Sequence, residues 1–163
     1  LMSGVGNDLF DPDGMTTRAM LISILYRMAG EPDVSELPET PFEDVGPDAW
    51  YADAVRWAYA NEVAAGMDDT HFAPDDRLTR AQLVTMLYRA YGPEKDVRPR
   101  PIGGYTDWNT VPEWAYPAAT WAVSMGLLYG TSSSQLSPNA GANRAQLAAF
   151  MMRTCELQSE LDA

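Results

Sequence analysis

LTRAQLVTMLYRA, residues 78–90, is the stretch on which the reading of this chain turns, because it occurs in three versions. TTRAMLISILYRM (residues 16–28) and ANRAQLAAFMMRT (residues 142–154) carry the same pattern. Each copy has an arginine near its start, at Arg18, Arg80 and Arg144, and a second one nine residues later, at Arg27, Arg89 and Arg153. Successive copies lie 62 and 64 residues apart, the mark of an internal repeat. A unit of this size buries its apolar face by stacking on its neighbours. Such a chain fits a modular binding or scaffold protein better than an enzyme with one unique site.

Further landmarks hold the same register. A glycine precedes each first arginine by fourteen residues (Gly4, Gly66, Gly130), a bulky apolar residue by eight (Phe10, Phe72, Leu136) and a proline by six (Pro12, Pro74, Pro138). The upstream half of the unit occurs twice. WYADAVRWAYANEVAAG (residues 50–66) matches WAYPAATWAVSMGLLYG (residues 114–130), preceded by PFEDV (residues 41–45) and GYTDW (residues 104–108) respectively. Only Leu1–Ser3 stand before Gly4, so this reading expects the chain to open inside its first unit, as a fragment or processed product. The units are residues 1–30 (second half of a repeat), 41–92 and 104–157, with a Pro- and charge-rich linker at 93–103.

Each unit reads as helix, loop, helix, and the fold class as all-α. In the first helix Trp50, Ala54, Trp57 and Asn61 keep a helical period, which places both tryptophans on one inward stripe. The second helix starts at a cap: Thr79 with Gln82, and Asn143 with Gln146, have the order of a capping box, while Met20 leaves the box at Thr17 incomplete. The loops between the helices are rich in Gly, Asp, Asn, Ser and Pro, with the middle Phe or Leu expected to plug onto the core.

Composition narrows the function. The net charge of −12 argues against a nucleic-acid partner, since phosphate binding needs basic surface. Of the eleven basic residues all but Lys95 are arginine, the side chain suited to bidentate recognition of carboxylates. No apolar run approaches the 18 residues of a membrane span. His71 is the only histidine and Cys155 the only cysteine, so a multi-His metal site and an internal disulfide are both excluded, and no cofactor or metal is implied. The acids around His71 (Asp68, Asp69, Asp75, Asp76) lack the order of a calcium loop and read as solvated turn carboxylates. Asp44 and Asp107 are repeated acids. They admit a carboxylate-pair hydrolase by residue type, but fit better as caps of the Trp helices or as turn formers.

The order FEDV, WYADAVRWAYANEVAAGM, a loop with F-x-P, then LTRAQLVTMLYRAYG resembles the S-layer homology repeat of bacterial cell-envelope proteins. That resemblance covers nearly the whole chain, and its hallmark tetrad reads here TRAM, TRAQ and NRAQ, without the usual glutamate. It implies a pseudo-threefold arrangement with a central helix bundle and grooves between repeats. It also implies a non-catalytic, extracellular role at the bacterial cell surface, the partner being a secondary cell-wall polysaccharide with acidic groups, often a ketal-linked pyruvate. By the same resemblance Arg18, Arg80 and Arg144 line the grooves, and Gly4, Gly66 and Gly130 carry backbone close to the sugar. Aromatics near such a groove, Trp50 and Trp114 among them, offer the apolar face on which sugar rings stack.

The residues themselves leave alternatives open. An arginine in a first helical turn opposes the helix dipole, so it has a definite task, either gripping a ligand or tying a loop. Arg27, Arg89 and Arg153 lie half a revolution away, near the helix C-termini, and read as structural. The departures in the tetrads and the plain third loop, GTSSSQLSPNAG, favour a competing role as a protein–protein assembly module of the cell envelope more than a complete family pattern would. The missing half of the first unit is expected to leave Leu21, Ile24 and Leu25 uncovered, with a second chain or protomer as candidate donor of the absent helix.

Overall fold

A computed structural model describes residue 2, residues 9–92, residue 102 and residues 104–161, apart from the side chains of 158, 160 and 161. Gly4 and the 93–103 linker, Ile102 excepted, lie outside the described residues. The described chain is helical, with isolated bridges in place of strands. Its helices are α1 (Arg18–Met28), α2 (Ala52–Ala60), α3 (Arg80–Tyr91), α4 (Tyr116–Ser124) and α5 (Arg144–Leu161), with 3-10 turns at Trp108–Thr110 and Glu113–Ala115. No helix among the described residues is long and apolar enough to cross a membrane.

The helix starts follow their caps. Thr79 Oγ1 accepts from the Gln82 N–H at 3.2 Å while Gln82 Oε1 accepts from the Thr79 N–H at 3.1 Å. Asn143 and Gln146 make the same reciprocal pair at 2.8 and 3.2 Å. Thr17 accepts from the Met20 N–H at 3.3 Å with no return bond, as a methionine at that position requires.

The first two N–H groups of an α-helix have no partner within it. Here the loop of another unit supplies them. Arg18 and Ala19 donate to the carbonyls of Asp76 and Pro74, Arg80 and Ala81 to those of Ala140 and Pro138, and Arg144 and Ala145 to those of Gly14 and Pro12. Just before the helices, Leu78 N–H donates to Thr16 O (2.9 Å), Ala142 N–H to Leu78 O (2.9 Å) and Thr16 N–H to Ala142 O (3.3 Å), which closes a ring of three backbone bonds. The first unit therefore holds the second, the second holds the third, and the third holds the first.

Helices pair across units. α2 of the second unit packs along α1 of the first, and α4 of the third along α3 of the second. Trp57 meets Tyr26 with ring centroids 5.8 Å apart, and Trp121 meets Tyr88 at 5.5 Å. This pairing corrects the expectation for the incomplete first unit. Leu21, Ile24 and Leu25 are buried because α2 covers α1, and among the described residues it is α5 along which no helix packs over a comparable length.

The tryptophan stripe also needs correction. Trp57 and Trp121 are core residues, at 8% and 6% exposure, but Trp50 and Trp114 stand out at 64% and 55%. The helices begin only at Ala52 and Tyr116, so the helical period does not extend back to either tryptophan. Trp50 sits among the turn bonds Ala49 N–H to Gly46 O and Ala52 N–H to Ala49 O, and Trp114 lies in a 3-10 turn.

Candidate functional site

The repeated arginine at the first position of α1, α3 and α5 is nearly buried: Arg18, Arg80 and Arg144 are exposed by 3%, 5% and 8%. Each reaches the loop that its own backbone already holds. Arg18 donates from Nε to Phe72 O at 2.9 Å and from Nη2 to Ala65 O at 2.8 Å, with its guanidinium 4.6 Å from the centre of the Phe72 ring. Arg80 donates from Nε to Leu136 O at 3.0 Å and from Nη2 to Tyr129 O. Arg144 donates from Nε to Phe10 O at 2.8 Å and lies 4.9 Å over the Phe10 ring. The carbonyl oxygens supply the negative potential that a cation at a helix N-terminus lacks. Burial pushes the pKa of Arg18 and Arg80 below the usual value. Asp76 and Asp44 offset this at Arg18, as Tyr105 and Asp107 do at Arg80. Both guanidinium groups stay charged at any physiological pH.

The gripped loops are fixed from the other side by the repeated acids. The Asp44 carboxylate accepts from the N–H groups of Phe72 (2.8 Å) and Ala73 (2.7 Å), and Asp107 accepts from those of Leu136 and Ser137, both at 2.8 Å. These bonds, led by that from Leu136, hold the Asp107 carboxyl below the usual carboxylate range. Ala73 and Ser137 have positive φ (56° and 53°), a strained conformation for residues with a side chain. The acids therefore secure a strained loop rather than cap the Trp helices, a task invisible from their place in the sequence. Phe72 and Leu136 plug these loops into the core, whereas Phe10 remains 39% exposed.

Gly66 and Gly130 occupy matching places where a Cβ has no room. At Gly66 it would lie 2.3 Å from Asp68 O and 2.6 Å from Phe42 Cε1; at Gly130, 2.5 Å from Gln135 O and from Tyr105 Cε1. Gly66 thus keeps bare backbone in the lining of an inter-unit cleft.

One cleft brings three of the sequence-predicted residues together, Arg18, Gly66 and Trp114. About 160 Å³ in volume, it is lined by Arg18, Gly66, Met67, Gln82, Arg89 and Trp114, with Ala65, Thr85 and Met86 completing it. Arg18 has its guanidinium tied at the base, Gly66 offers backbone, and Trp114 stands exposed at one side. Arg89 is exposed and makes no hydrogen bond or ion pair among the described residues. Sequence reasoning placed it correctly on another face from Arg80 but overlooked that this face lines the neighbouring cleft. The recurrence of an arginine in that register was the available signal. Gln82 Nε2 lies 3.6 Å from Met67 Sδ, so the tetrad glutamine links helix cap and cleft rim.

The matching positions elsewhere differ. A cleft of about 280 Å³ holds Ser23, Tyr26, Arg27, Glu31, Trp50, Asp53 and Ala54, and there Arg27 meets Glu31 at 3.8 Å. Beside the third loop, Arg153 lies 4.4 Å over the Tyr129 ring and donates to Leu127 O at 3.3 Å. Arg80 and Gly130 lie on this side, and no tryptophan equivalent to Trp50 or Trp114 is present among the described residues.

Comparison with known proteins follows this geometry. The family described as the S-layer homology domain matches residues 41–84 and 104–148. The chain is 30% identical over 162 residues to the surface-layer 125 kDa protein of Lysinibacillus sphaericus, covering 96% of this chain and 13% of that protein. It is 31% identical over 144 residues to an endoglucanase of Bacillus sp. (strain KSM-635), covering 87% and 15%. It is 24% identical over 165 residues to the cellulosome-anchoring protein of Acetivibrio thermocellus, covering 95% and 35%. The chain therefore spans only a small part of the length of these relatives.

Proposed function

Since this chain belongs to the S-layer homology family, we propose that it is a non-catalytic module anchoring the protein that carries it to the bacterial cell wall. Its ligand in this reading is an acidic secondary cell-wall polysaccharide, with a ketal-linked pyruvate as the acidic group. Relatives named as a surface-layer protein, an endoglucanase and a cellulosome-anchoring protein share this stretch, which supports a common attachment role over any single catalytic one. The location that follows is the extracellular face of the cell. The ring of three backbone bonds supports the pseudo-threefold order of the family, with the clefts between units as its grooves.

The observation that carries the reading is the cleft between α3, the 65–67 loop and Trp114. A carboxylate entering it meets the Arg89 guanidinium, which offers two parallel N–H donors. A sugar ring placed over the exposed Trp114 shields that ring from water, and Gly66 lets the polymer approach backbone. Arg18, Arg80 and Arg144 then act at the bases of their grooves, where they fix the loops and keep a positive charge beneath the ligand. The Trp50 cleft is a weaker copy because Glu31 competes for Arg27, and the third is weakest because Arg153 is already occupied. One such contact is weak alone; several engaged on one polymer raise the effective affinity by avidity.

The test is co-sedimentation with purified cell wall, before and after removal of the polysaccharide, using the wild type, Arg89→Ala and Trp114→Ala. Both side chains are exposed, so the variants keep the fold. The proposal expects binding that needs the polysaccharide and falls about tenfold or more in each variant, the loss of one charge-assisted pair or one stacking contact. Binding that survives polysaccharide removal, or that ignores both substitutions, overturns it in favour of protein–protein assembly.

A further inference from the structure

The clefts beside Trp114 and Trp50 share one register of the repeat, yet they carry opposite charge. Arginines and no acid line the first, namely Arg18 and Arg89. The second sets Arg27 against Glu31 and Asp53. Arg27 Nε lies 3.8 Å from Glu31 Oε1, so one acid answers the arginine and Asp53 is the surplus charge. Asp53 is exposed, and its carboxylate makes no hydrogen bond or ion pair among the described residues. Its counterpart in the third unit is Pro117, so this acid has no equivalent in the Trp114 cleft. The negative field reaches Tyr26, another lining residue: burial, then Asp53, Glu31 and Asp33, push its phenol above the usual value.

A second observation points to a ligand rather than to a solvated acidic rim. Ser23 lines the same cleft at 5% exposure, and its Oγ has no hydrogen-bond partner among the described residues. The counterpart Thr85 is satisfied, donating to Ala81 O at 2.8 Å. A buried hydroxyl left unpaired costs free energy, which a ligand hydroxyl recovers by pairing with it. The exposed Trp50 adds an aromatic face, which shields the apolar side of a sugar ring and attracts a cation. We propose that the Trp50 cleft binds an amine-bearing sugar, a hexosamine whose ammonium group pairs with Asp53 and Glu31 while its ring covers Trp50 and a hydroxyl meets Ser23. Because Glu31 already answers Arg27, the same lining repels the carboxylate that the Arg89 cleft attracts. That a sugar carries the amine rests on the polysaccharide reading of the Arg89 cleft; the preference for a cation rests on the lining of this cleft alone.

The two tryptophans serve as separate reporters. Their indole N–H signals are followed by NMR in the nitrogen-15-labelled full chain and assigned with Trp50→Phe and Trp114→Phe. The probes are the methyl glycosides of glucosamine, N-acetylglucosamine and glucuronic acid, at about pH 6, where the amine is protonated and the carboxylates are ionised. The expected result is a saturable shift of the Trp50 signal with the glucosaminide, at least about tenfold tighter than with either other sugar. Asp53→Asn, a change at an exposed position, should remove that preference, and Asp53→Asn combined with Glu31→Gln should reverse it in favour of the glucuronide. A Trp50 signal that ignores the glucosaminide, or responds equally to the acetylated sugar, overturns the proposal, as does a preference that survives Asp53→Asn. If Trp50 fails in this way while the glucuronide still shifts Trp114, the proposal falls alone; if neither tryptophan responds to any probe, the polysaccharide reading falls with it.

Discussion

Replacing Arg80 by alanine should cost far more stability than replacing Arg89, although both residues lie on α3. Arg80 is 5% exposed and donates from two nitrogens to Leu136 O and Tyr129 O, 56 and 49 residues away. A hydrogen bond involving a charged group contributes about 1.5–3 kcal/mol. Truncation removes two of them, leaves two carbonyls without their donor, and opens a gap at the junction of units. A loss of about 3–5 kcal/mol follows, a large share of the roughly 5–15 kcal/mol that holds a domain folded. In a domain of this size each kcal/mol moves the melting temperature by roughly 2–4 °C, so Arg80→Ala should melt about 6–20 °C below wild type. Arg89→Ala, an exposed change, should stay within about 0.5 kcal/mol. Arg80→Lys should recover only part of the loss, because an ammonium cannot span both carbonyls as the planar fork does. The assay is urea unfolding followed by tryptophan fluorescence, with melting by circular dichroism. An Arg80→Ala protein within about 0.5 kcal/mol of wild type, or one no less stable than Arg89→Ala, would refute the assignment of this arginine as the tie between units.

Other expectations follow from the same geometry. Gly66→Ala drives a Cβ to 2.3 Å from a backbone oxygen and should destabilise by about 1–3 kcal/mol in the same unfolding assay; an unchanged midpoint would show that the loop has room to relax. The Asp107 carboxyl titrates below its usual range, so its contribution is fully present above about pH 4 and fades as pH falls through the lower folded value. The stability gap between wild type and Asp107→Asn should accordingly narrow in acid, and a gap constant from pH 2 to 6 would contradict this. His71 has its pKa raised chiefly by the hydrogen bond to Asp68, at 3.0 Å. Its favourable contribution is present below about pH 6.5 and is lost as pH rises through the raised folded value. NMR titration should therefore place His71 above the ordinary histidine value in wild type and return it there in Asp68→Asn.

Much of the local architecture was legible in the sequence. The register of three arginines set the repeat, and the capping pairs Thr79–Gln82 and Asn143–Gln146 fixed where helices begin, because a cap acts within three or four residues. Gly66 and Gly130 were marked as special by their register, although the reason for them, a Cβ excluded by carbonyl oxygens of their own folded-back loops as well as by Phe42 and Tyr105, emerges only in the folded chain. Trp50 was misplaced because a helical period was carried two residues beyond the first helical turn, and only the backbone trace showed that the chain turns there instead.

By itself, then, the sequence determined the recurrence of the arginine segments, the caps at which their helices begin, the net negative charge and the family. The tertiary structure decided which unit each arginine clamps, since the partners of Arg18 and Arg80 lie 47 to 56 residues away. It also decided which tryptophans face solvent and which neighbour covers each helix. Counting repeats left α1 without a partner, but α2 of the second unit packs along it. Periodicity reports which face of a helix is apolar. The choice of neighbour that buries it rests on long-range packing, which a local pattern does not encode.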